Sequence, residues 1–124
     1  MEDRKRALVV DDDDPIRTML ANLVGRQDLD VDTARDGAEA IAQIDRDGYA
    51  VIVLDLMMPR VDGFRVLEHL GAHHPEKLRR TIIASAFPES EIRKKFTRPV
   101  YRIHAKPFDM PRLIDDVRGC CGAG

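Results

Sequence analysis

Residues 7–15 read ALVVDDDDP and give the clearest indication of the fold class. Four apolar residues followed by an acidic run and a proline are typical of a buried strand that leads directly into a helix, with Asp14 as the N-cap and Pro15 in the first turn. Apolar residues then recur at helical spacing up to Gly25. The segment therefore predicts a strand followed at once by a helix, which is the repeating unit of parallel α/β sheets.

Four further apolar runs repeat this alternation. The predicted strands are 7–10, 31–34, 51–54, 81–84 and 100–103, and the expected N-caps of later helices are Asp36, Asp62 and Asp109. A short fourth helix is expected within residues 88–98, where Ile92 and Phe96 are the apolar positions among mostly charged neighbours.

The composition of each predicted strand indicates its place in the sheet. The first, third and fourth strands are apolar on both faces, as central strands of a parallel sheet must be, whereas 31–34 and 100–103 mix polar and apolar residues as edge strands do. We therefore predict a doubly wound α/β fold. It has a five-stranded parallel sheet in the flavodoxin-like order 2-1-3-4-5 and helices on both faces.

Length and composition exclude several classes of protein. The 124 residues suit one domain, expected to span 1–124 with residues 119–124 as a flexible C-terminal tail. With 34% charged and 44% hydrophobic residues and no long apolar run, the chain is neither disordered nor a membrane protein. The 20 basic and 22 acidic residues leave a net charge of −2, which gives no basic face for nucleic acid. We expect a cytoplasmic protein that binds neither nucleic acid nor membrane.

Neither the cysteines nor the histidines show a recognisable metal-binding or disulfide pattern. Cys120 and Cys121 are adjacent, which suits neither a disulfide framework nor a metal site. The histidines lack the spacing of metal ligands and are expected at the surface; they are His69, His73, His74 and His104.

Polar residues follow the predicted strands where ligands bind in such sheets, at the carboxyl ends. They are Asp11 and Asp12 after the first strand, Asp55 after the third, Ser85 after the fourth and Lys106 after the fifth. Three carboxylates in one pocket repel one another unless a cation offsets them, and a hard divalent ion such as Mg²⁺ takes oxygen ligands. With a lysine beside them, the pocket suits phosphoryl transfer onto one carboxylate.

The chain resembles the receiver domain of bacterial two-component response regulators over nearly its whole length. The motifs that carry the resemblance are VVDD at 9–12, Arg17 in the first helix, LDLMMP at 54–59, DG at 62–63, Ser85 with Ala86, and KPF at 106–108. Each motif is weak alone, but together and in order they are specific. The resemblance also implies a cis peptide bond between Lys106 and Pro107.

The resemblance further implies how the pocket works. Asp55 is the phosphoacceptor, and it binds Mg²⁺ or Mn²⁺ directly together with Asp12. Asp11 holds a metal-bound water, and the backbone carbonyl of Met57 completes the metal shell. Lys106 and Ser85 bind the phosphoryl oxygens. The phosphodonor is a phosphohistidine on a histidine kinase or phosphotransfer protein, or a small molecule such as acetyl phosphate.

The sequence departs from the family pattern in two places. The position three before the lysine, usually an aromatic residue that changes rotamer on activation, is Ile103. Tyr101 stands two residues earlier and should share its face if the strand is regular. The stretch before the fifth strand also lacks the usual Gly-Ala pair, so we expect a short, displaced or mobile fourth helix.

Three other classes of protein share part of this pattern. A pseudo-receiver acting without phosphorylation would have lost the acidic pair or the lysine, and neither is lost. A metal-dependent phosphatase with an aspartyl nucleophile needs a substrate-binding cap, for which 124 residues leave no room. A DNA-binding regulator would carry an output domain, and none is expected. We predict a stand-alone switch, monomeric or weakly dimeric, that takes part in its own phosphorylation and dephosphorylation without being a conventional enzyme.

Overall fold

The computed structural model describes residues 4–58 and 62–122. Its five strands form a single sheet in the order β2-β1-β3-β4-β5, with every neighbouring pair parallel. The strands are β1 (Arg6–Val10), β2 (Asp30–Ala34), β3 (Val51–Leu54), β4 (Thr81–Ser85) and β5 (Arg102–Ala105). The predicted fold class and strand order are confirmed.

A helix follows each strand. They are α1 (Asp14–Gly25), α2 (Gly37–Arg46), α3 (Gly63–His73), α4 (Glu89–Lys95) and α5 (Met110–Cys120), and a 3₁₀ helix (Pro75–Arg80) leads into β4. As predicted, side chains of Asp36, Asp62 and Asp109 accept hydrogen bonds from backbone N–H groups of the first turns of α2, α3 and α5. No described helix is both long and apolar enough to span a bilayer.

The helices lie on both faces of the sheet because successive strand residues point to opposite sides. Leu8 and Val10 pack with α2, α3 and α4, whereas Ala7 and Val9 pack with α1 and α5. The central strands β1, β3 and β4 are buried throughout or nearly so. This double coverage accounts for their unbroken apolar runs.

The start of α1 differs from the prediction. Asp13, not Asp14, is the N-cap, and its Oδ1 accepts a hydrogen bond of 3.0 Å from the N–H of Ile16. Asp14 is already helical, and its carboxylate pairs with Arg17. Pro15 therefore occupies the second helical position instead of the first, a site that also tolerates a residue without an N–H because the first four N–H groups of a helix lack intrahelical partners.

The last strand begins two residues later than predicted, and this separates Tyr101 from Ile103. Tyr101 lies in a bend before β5, and its side chain packs on the α1/α5 face of the sheet. Ile103 lies within β5 and packs on the opposite face. The two side chains therefore lie on opposite faces, because the shared face required a regular strand through both residues and the strand begins only after Tyr101.

The C-terminal prediction also needs correction. Helix α5 continues through Cys120, and Cys121 is buried in the core beside Leu113 and Val117. The Cys121 carbonyl accepts a hydrogen bond of 2.6 Å from Lys5 Nζ. Residues 119–121 are therefore packed and hydrogen-bonded, not a flexible tail. Residues 123–124 lie outside the described residues, as do residues 59–61, which include the last position of the LDLMMP motif.

Candidate functional site

The sheet register brings the predicted carboxylates together. Val10 at the end of β1 is paired with Leu54 at the end of β3. The residue that follows each strand is an aspartate, Asp11 or Asp55, and the N–H of Asp55 donates to the carbonyl of Val10 at 2.9 Å. Because the chain order reverses between these two strands, the pair stands at the switch point of the sheet, where ligands bind in this class of fold.

The three carboxylates form one compact cluster. Asp11 is 1% exposed and Asp55 is 3% exposed, whereas Asp12 is open to solvent. One oxygen from each lies within 4.8 Å of the others. Such a cluster of like charges is unfavourable without a positive partner.

Lys106 provides one positive partner. The loop after β5 contains a cis peptide bond between Lys106 and Pro107, as the resemblance implies. The Lys106 Nζ lies 3.2 Å from Asp11 Oδ2 and 3.6 Å from Asp55 Oδ2. A single ammonium thus faces two buried carboxylates, and Asp12 adds a third negative charge nearby.

The electrostatic environment keeps the proton affinity of Asp55 high. Burial raises its pKa to about 6, and the charges of Asp11 and Asp12 act in the same direction. The N–H of Met57, which donates to Asp55 Oδ1 at 3.1 Å, and the ammonium of Lys106 oppose the rise only in part. An additional cation would favour the ionised form.

The donor set suits a hard divalent cation. Every candidate side-chain ligand is a carboxylate oxygen, which is the ligand type that Mg²⁺ prefers, and the exposed Asp12 leaves room for water in the shell. The excess of negative charge in the pocket and the raised pKa of Asp55 both agree with such an ion. The residues present therefore fit Mg²⁺.

Ser85 lies at the carboxyl end of a strand that neighbours the one leading to Asp55. It is the last residue of β4, the strand next to β3, and it is completely buried. Its Oγ accepts a hydrogen bond of 3.2 Å from the N–H of Phe87, while its carbonyl accepts one of 2.9 Å from the N–H of Lys106. Ser85 therefore links the loop after β4 to the lysine loop.

Two residues, Asp13 and Arg17, contact Asp11 through hydrogen bonds that the sequence does not predict. The N–H of Asp13 donates to Asp11 Oδ1 at 2.9 Å. The guanidinium of Arg17 donates to the Asp11 carbonyl at 3.0 Å. Both Asp11 oxygens are thus engaged, one by Asp13 and the other by Lys106. Asp13 belongs to the acidic run and Arg17 to the motifs of the resemblance, but neither signal predicts these contacts.

The histidines are partly or fully exposed, as expected, and three of the four also contact carboxylates, which the sequence did not predict. His69 and His74 both contact Asp45, and His104 lies 2.7 Å from Asp116. The side chain of His104 is only 12% exposed. These partners are distant in sequence, so residue spacing could not reveal them.

The chain is similar to receiver domains in both sequence and structure. The family model described as the response regulator receiver domain matches residues 7–118. The receiver domain of the Francisella response regulator 1452 has a TM-score of 0.82 at 30% identity, covering 96% of this chain and 98% of that one. Thermotoga maritima TrrA, a response regulator protein in complex with Mg²⁺-BeF, has a TM-score of 0.78 at 25% identity, covering 94% and 98%.

Curated relatives are longer than this chain. The transcriptional regulatory protein TcrA of Mycobacterium tuberculosis is 40% identical over 65 residues, which are 52% of this chain and 26% of that protein. The similarity therefore concerns one part of the longer relative.

Proposed function

Because the chain belongs to the response regulator receiver domain family, we propose that it is a phosphorylation-dependent signalling switch with Asp55 as its phosphoacceptor. The observation that carries the proposal is the position of Asp55, which is buried beside the carboxylate of Asp11 and has the ammonium of Lys106 3.6 Å from its Oδ2. A carboxylate held in this way is fixed in position, and its counter-charge faces the place where phosphoryl oxygens would lie.

The proposed step is an in-line displacement at phosphorus. A carboxylate oxygen of Asp55 forms the new P–O bond, and the P–N bond of a phosphohistidine breaks. Its electron pair returns to the imidazole nitrogen, which is left ready to take up a proton. For acetyl phosphate, the bond that breaks is the P–O bond to the acetate. In both cases Asp55 acts as an oxygen nucleophile.

Lys106 and Ser85 are proposed to hold the transferred group. The Lys106 ammonium can turn from the carboxylates to a phosphoryl oxygen, since it lies within 3.6 Å of both Asp11 and Asp55. The hydroxyl of Ser85 can donate a hydrogen bond to a second phosphoryl oxygen. Both contacts favour the charge that develops on the phosphoryl group during transfer.

Asp12, Asp55 and the carbonyl of Met57 would bind Mg²⁺ directly, with Asp11 holding a metal-bound water. When bound, the ion neutralises charge on the phosphoryl oxygens and on the cluster. The relative TrrA, with its Mg²⁺-BeF complex, supports this assignment by analogy. The partner that supplies the phosphoryl group is proposed to be a histidine kinase or a histidine phosphotransfer protein, as is usual for the family.

The experiment uses a small phosphodonor. The protein is incubated with acetyl phosphate and Mg²⁺, and the intact mass is measured. Wild type and Asp14→Asn should gain one phosphoryl group, because Asp14 belongs to the same acidic run but lies outside the carboxylate cluster. Asp55→Asn, or wild type with a chelator, should gain none. Labelling that survives in Asp55→Asn would overturn the assignment, and an unlabelled wild type would favour a pseudo-receiver.

A further inference from the structure

A carboxylate and two imidazoles converge between α2 and α3, at the end of the molecule opposite the acidic pocket. Asp45 is the penultimate residue of α2, His69 lies on α3, and His74 is the C-cap of α3. In a parallel α/β sheet the helices run back from the carboxyl ends of the strands, so the ends of α2 and α3 lie far from Asp55. This cluster therefore has no part in the phosphoacceptor site.

The three side chains meet at one point. The Nε2 atoms of His69 and His74 lie 2.7 and 2.8 Å from the same oxygen, Asp45 Oδ1. One ligand atom from each residue lies within 4.8 Å of the other two. Around a tetrahedral Zn²⁺ with ligand distances of about 2.0–2.2 Å, ligand atoms are separated by about 3.3–3.6 Å. Small side-chain rotations would thus admit an ion among them.

The chemistry of these ligands differs from that of the acidic pocket. Two imidazole nitrogens and one carboxylate oxygen suit Zn²⁺ and its transition-metal neighbours, whereas Mg²⁺ prefers oxygen ligands alone. Each neutral imidazole can carry its proton on Nδ1 and offer the Nε2 lone pair to a metal.

The surroundings favour a cation and leave it access. The C-terminal ends of α2 and α3 both carry partial negative charge from their free carbonyls. Lys77 donates to two carbonyls at the end of α2, those of Ile44 and Asp47, rather than to the Asp45 carboxylate. The imidazole side chains are 20% and 24% exposed and that of Asp45 is 48% exposed, so solvent ions can reach a site whose rings are largely fixed.

We propose that Asp45, His69 and His74 form a second metal site, which binds Zn²⁺ or a related transition-metal ion and ties α2 to α3. The ion replaces the two hydrogen bonds to Asp45 Oδ1 by three coordinate bonds, with water completing the shell. Because only the folded chain brings the three ligands together, binding stabilises the native state. The site goes beyond the proposed phosphoacceptor function and does not depend on it.

The test is a competitive titration of Zn²⁺ against a chromophoric chelator, with excess Mg²⁺ present to keep the acidic pocket filled. The proteins are wild type, His69→Gln, His74→Gln and the control His104→Gln, which alters another imidazole–carboxylate pair. Wild type and His104→Gln should bind one more equivalent of Zn²⁺ than His69→Gln and His74→Gln do, or should bind that equivalent more than about tenfold more tightly. Even outer partners of metal ligands change affinity by about 10–100-fold. The cysteines are the same in all four proteins, so thiol-bound Zn²⁺ cancels.

Thermal unfolding gives an independent readout that also shows whether each variant folds. Zn²⁺ should raise the melting temperature of wild type and His104→Gln, but not of His69→Gln or His74→Gln. A Co²⁺ derivative should show the visible absorption of a tetrahedral site only in the first pair. Equal Zn²⁺ affinity in all four proteins would overturn the proposal, and the cluster would then only connect α2 and α3 through hydrogen bonds.

Discussion

The ammonium nitrogen of Lys106 lies 3.6 Å from Oδ2 of Asp55, yet the pKa of Asp55 is raised to about 6. Burial of the carboxylate is the main cause, and Asp11 and Asp12 add to it. One lysine cannot offset both the loss of solvation and two neighbouring negative charges. Without a metal ion, the pocket therefore carries uncompensated negative charge, which lowers the stability of the native state when Asp55 is ionised.

The first prediction concerns stability and pH in the presence of a chelator. The pKa of Asp55 is about 6 in the fold and 3.8 in its ordinary state, so the folded chain binds this proton more tightly than the unfolded chain. The native state therefore loses stability as pH rises from about 4 to about 6. Asp55→Asn cannot ionise, so its free energy of unfolding should exceed that of wild type by up to about 3 kcal/mol at pH 7.5.

Urea unfolding at pH 5 and pH 7.5 measures the gap in free energy of unfolding between Asp55→Asn and wild type, which should be larger at the higher pH. The exposed Asp14→Asn is the control and should differ from wild type equally at the two pH values. Adding Mg²⁺ should narrow the gap at pH 7.5, because the ion stabilises only the wild-type pocket. A gap that is the same at both pH values would show that burial of Asp55 carries no ionisation penalty.

The second prediction concerns Lys106. Lys106→Gln removes the positive charge that faces the carboxylates while keeping a chain of similar length. Loss of one group that stabilises developing charge typically costs about 10²–10³ in rate. Labelling by acetyl phosphate should slow by about that factor. Lys94→Gln, which removes an exposed lysine paired with Glu91, should label at the wild-type rate. Equal rates in both variants would remove Lys106 from the proposed site.

The third prediction concerns Gly63, the first residue of α3. A Cβ at this position would lie 2.5 Å from the carbonyl oxygen of Asp55 and 2.5 Å from Leu56 Cα, so the backbone itself would have to move. Gly63→Ala should lower the free energy of unfolding by about 1–3 kcal/mol, as overpacking usually does. It should also slow labelling of Asp55. Gly48→Ala, where a Cβ meets nothing within 4 Å, is the matched control. A fully stable, normally labelled Gly63→Ala would contradict this account.

The fold could be predicted because its signals are local. Apolar runs mark the strands, and aspartates such as Asp36 and Asp62 cap helices within their own first turns. The pocket followed from topology alone, since parallel strands end at one edge of the sheet and carry Asp11 and Asp55 to it. No long-range contact had to be known in advance.

Other features depend on contacts that no local pattern encodes. His69 and His74 are 24 and 29 residues from Asp45, and only the packing of α3 beside α2 brings them together. The face on which Tyr101 packs depends on where β5 begins, which the edge-strand composition did not fix. Asp13 and Asp14 are equally good caps by residue type, so local preference alone could not choose between them.

The fourth prediction concerns the segment from Phe87 to Arg98. Helix α4 has only seven residues and no side-chain cap at its N-terminus, and the buried Ile92 and Phe96 anchor it. We expect its amides to exchange hydrogen faster than those of β3, since few buried contacts resist local opening. Ile92→Ala should accelerate exchange further, whereas the exposed Lys94→Ala should not. If the α4 amides exchange as slowly as those of β3, the two buried side chains are sufficient to prevent local opening and the prediction is wrong.

The last prediction concerns how long the phosphorylated state persists. In the receiver family, hydrolysis needs a water aligned opposite the aspartyl oxygen. The side chains two positions after the phosphoacceptor and two after the hydroxyl residue tune it, and here they are Met57 and Phe87. Met57 is half exposed, and Phe87 packs beside Phe64 with its ring centroid 6.0 Å away. Neither side chain orients water by a conventional hydrogen bond.

The absence of such a contact from these two side chains should lengthen the life of the phosphoryl group. One water-orienting hydrogen bond is worth about 1–3 kcal/mol, or roughly one to two decades in rate. We therefore expect the wild type to keep its phosphoryl group for many minutes to hours, and the double variant Met57→Asn, Phe87→Glu to lose it faster by that factor. Met19→Asn, which changes another exposed methionine away from the pocket, is the control. Intact-mass measurements after removal of the phosphodonor give the rates. If the wild type loses its phosphate within seconds and the double variant is no faster, side-chain polarity at these two positions does not govern hydrolysis.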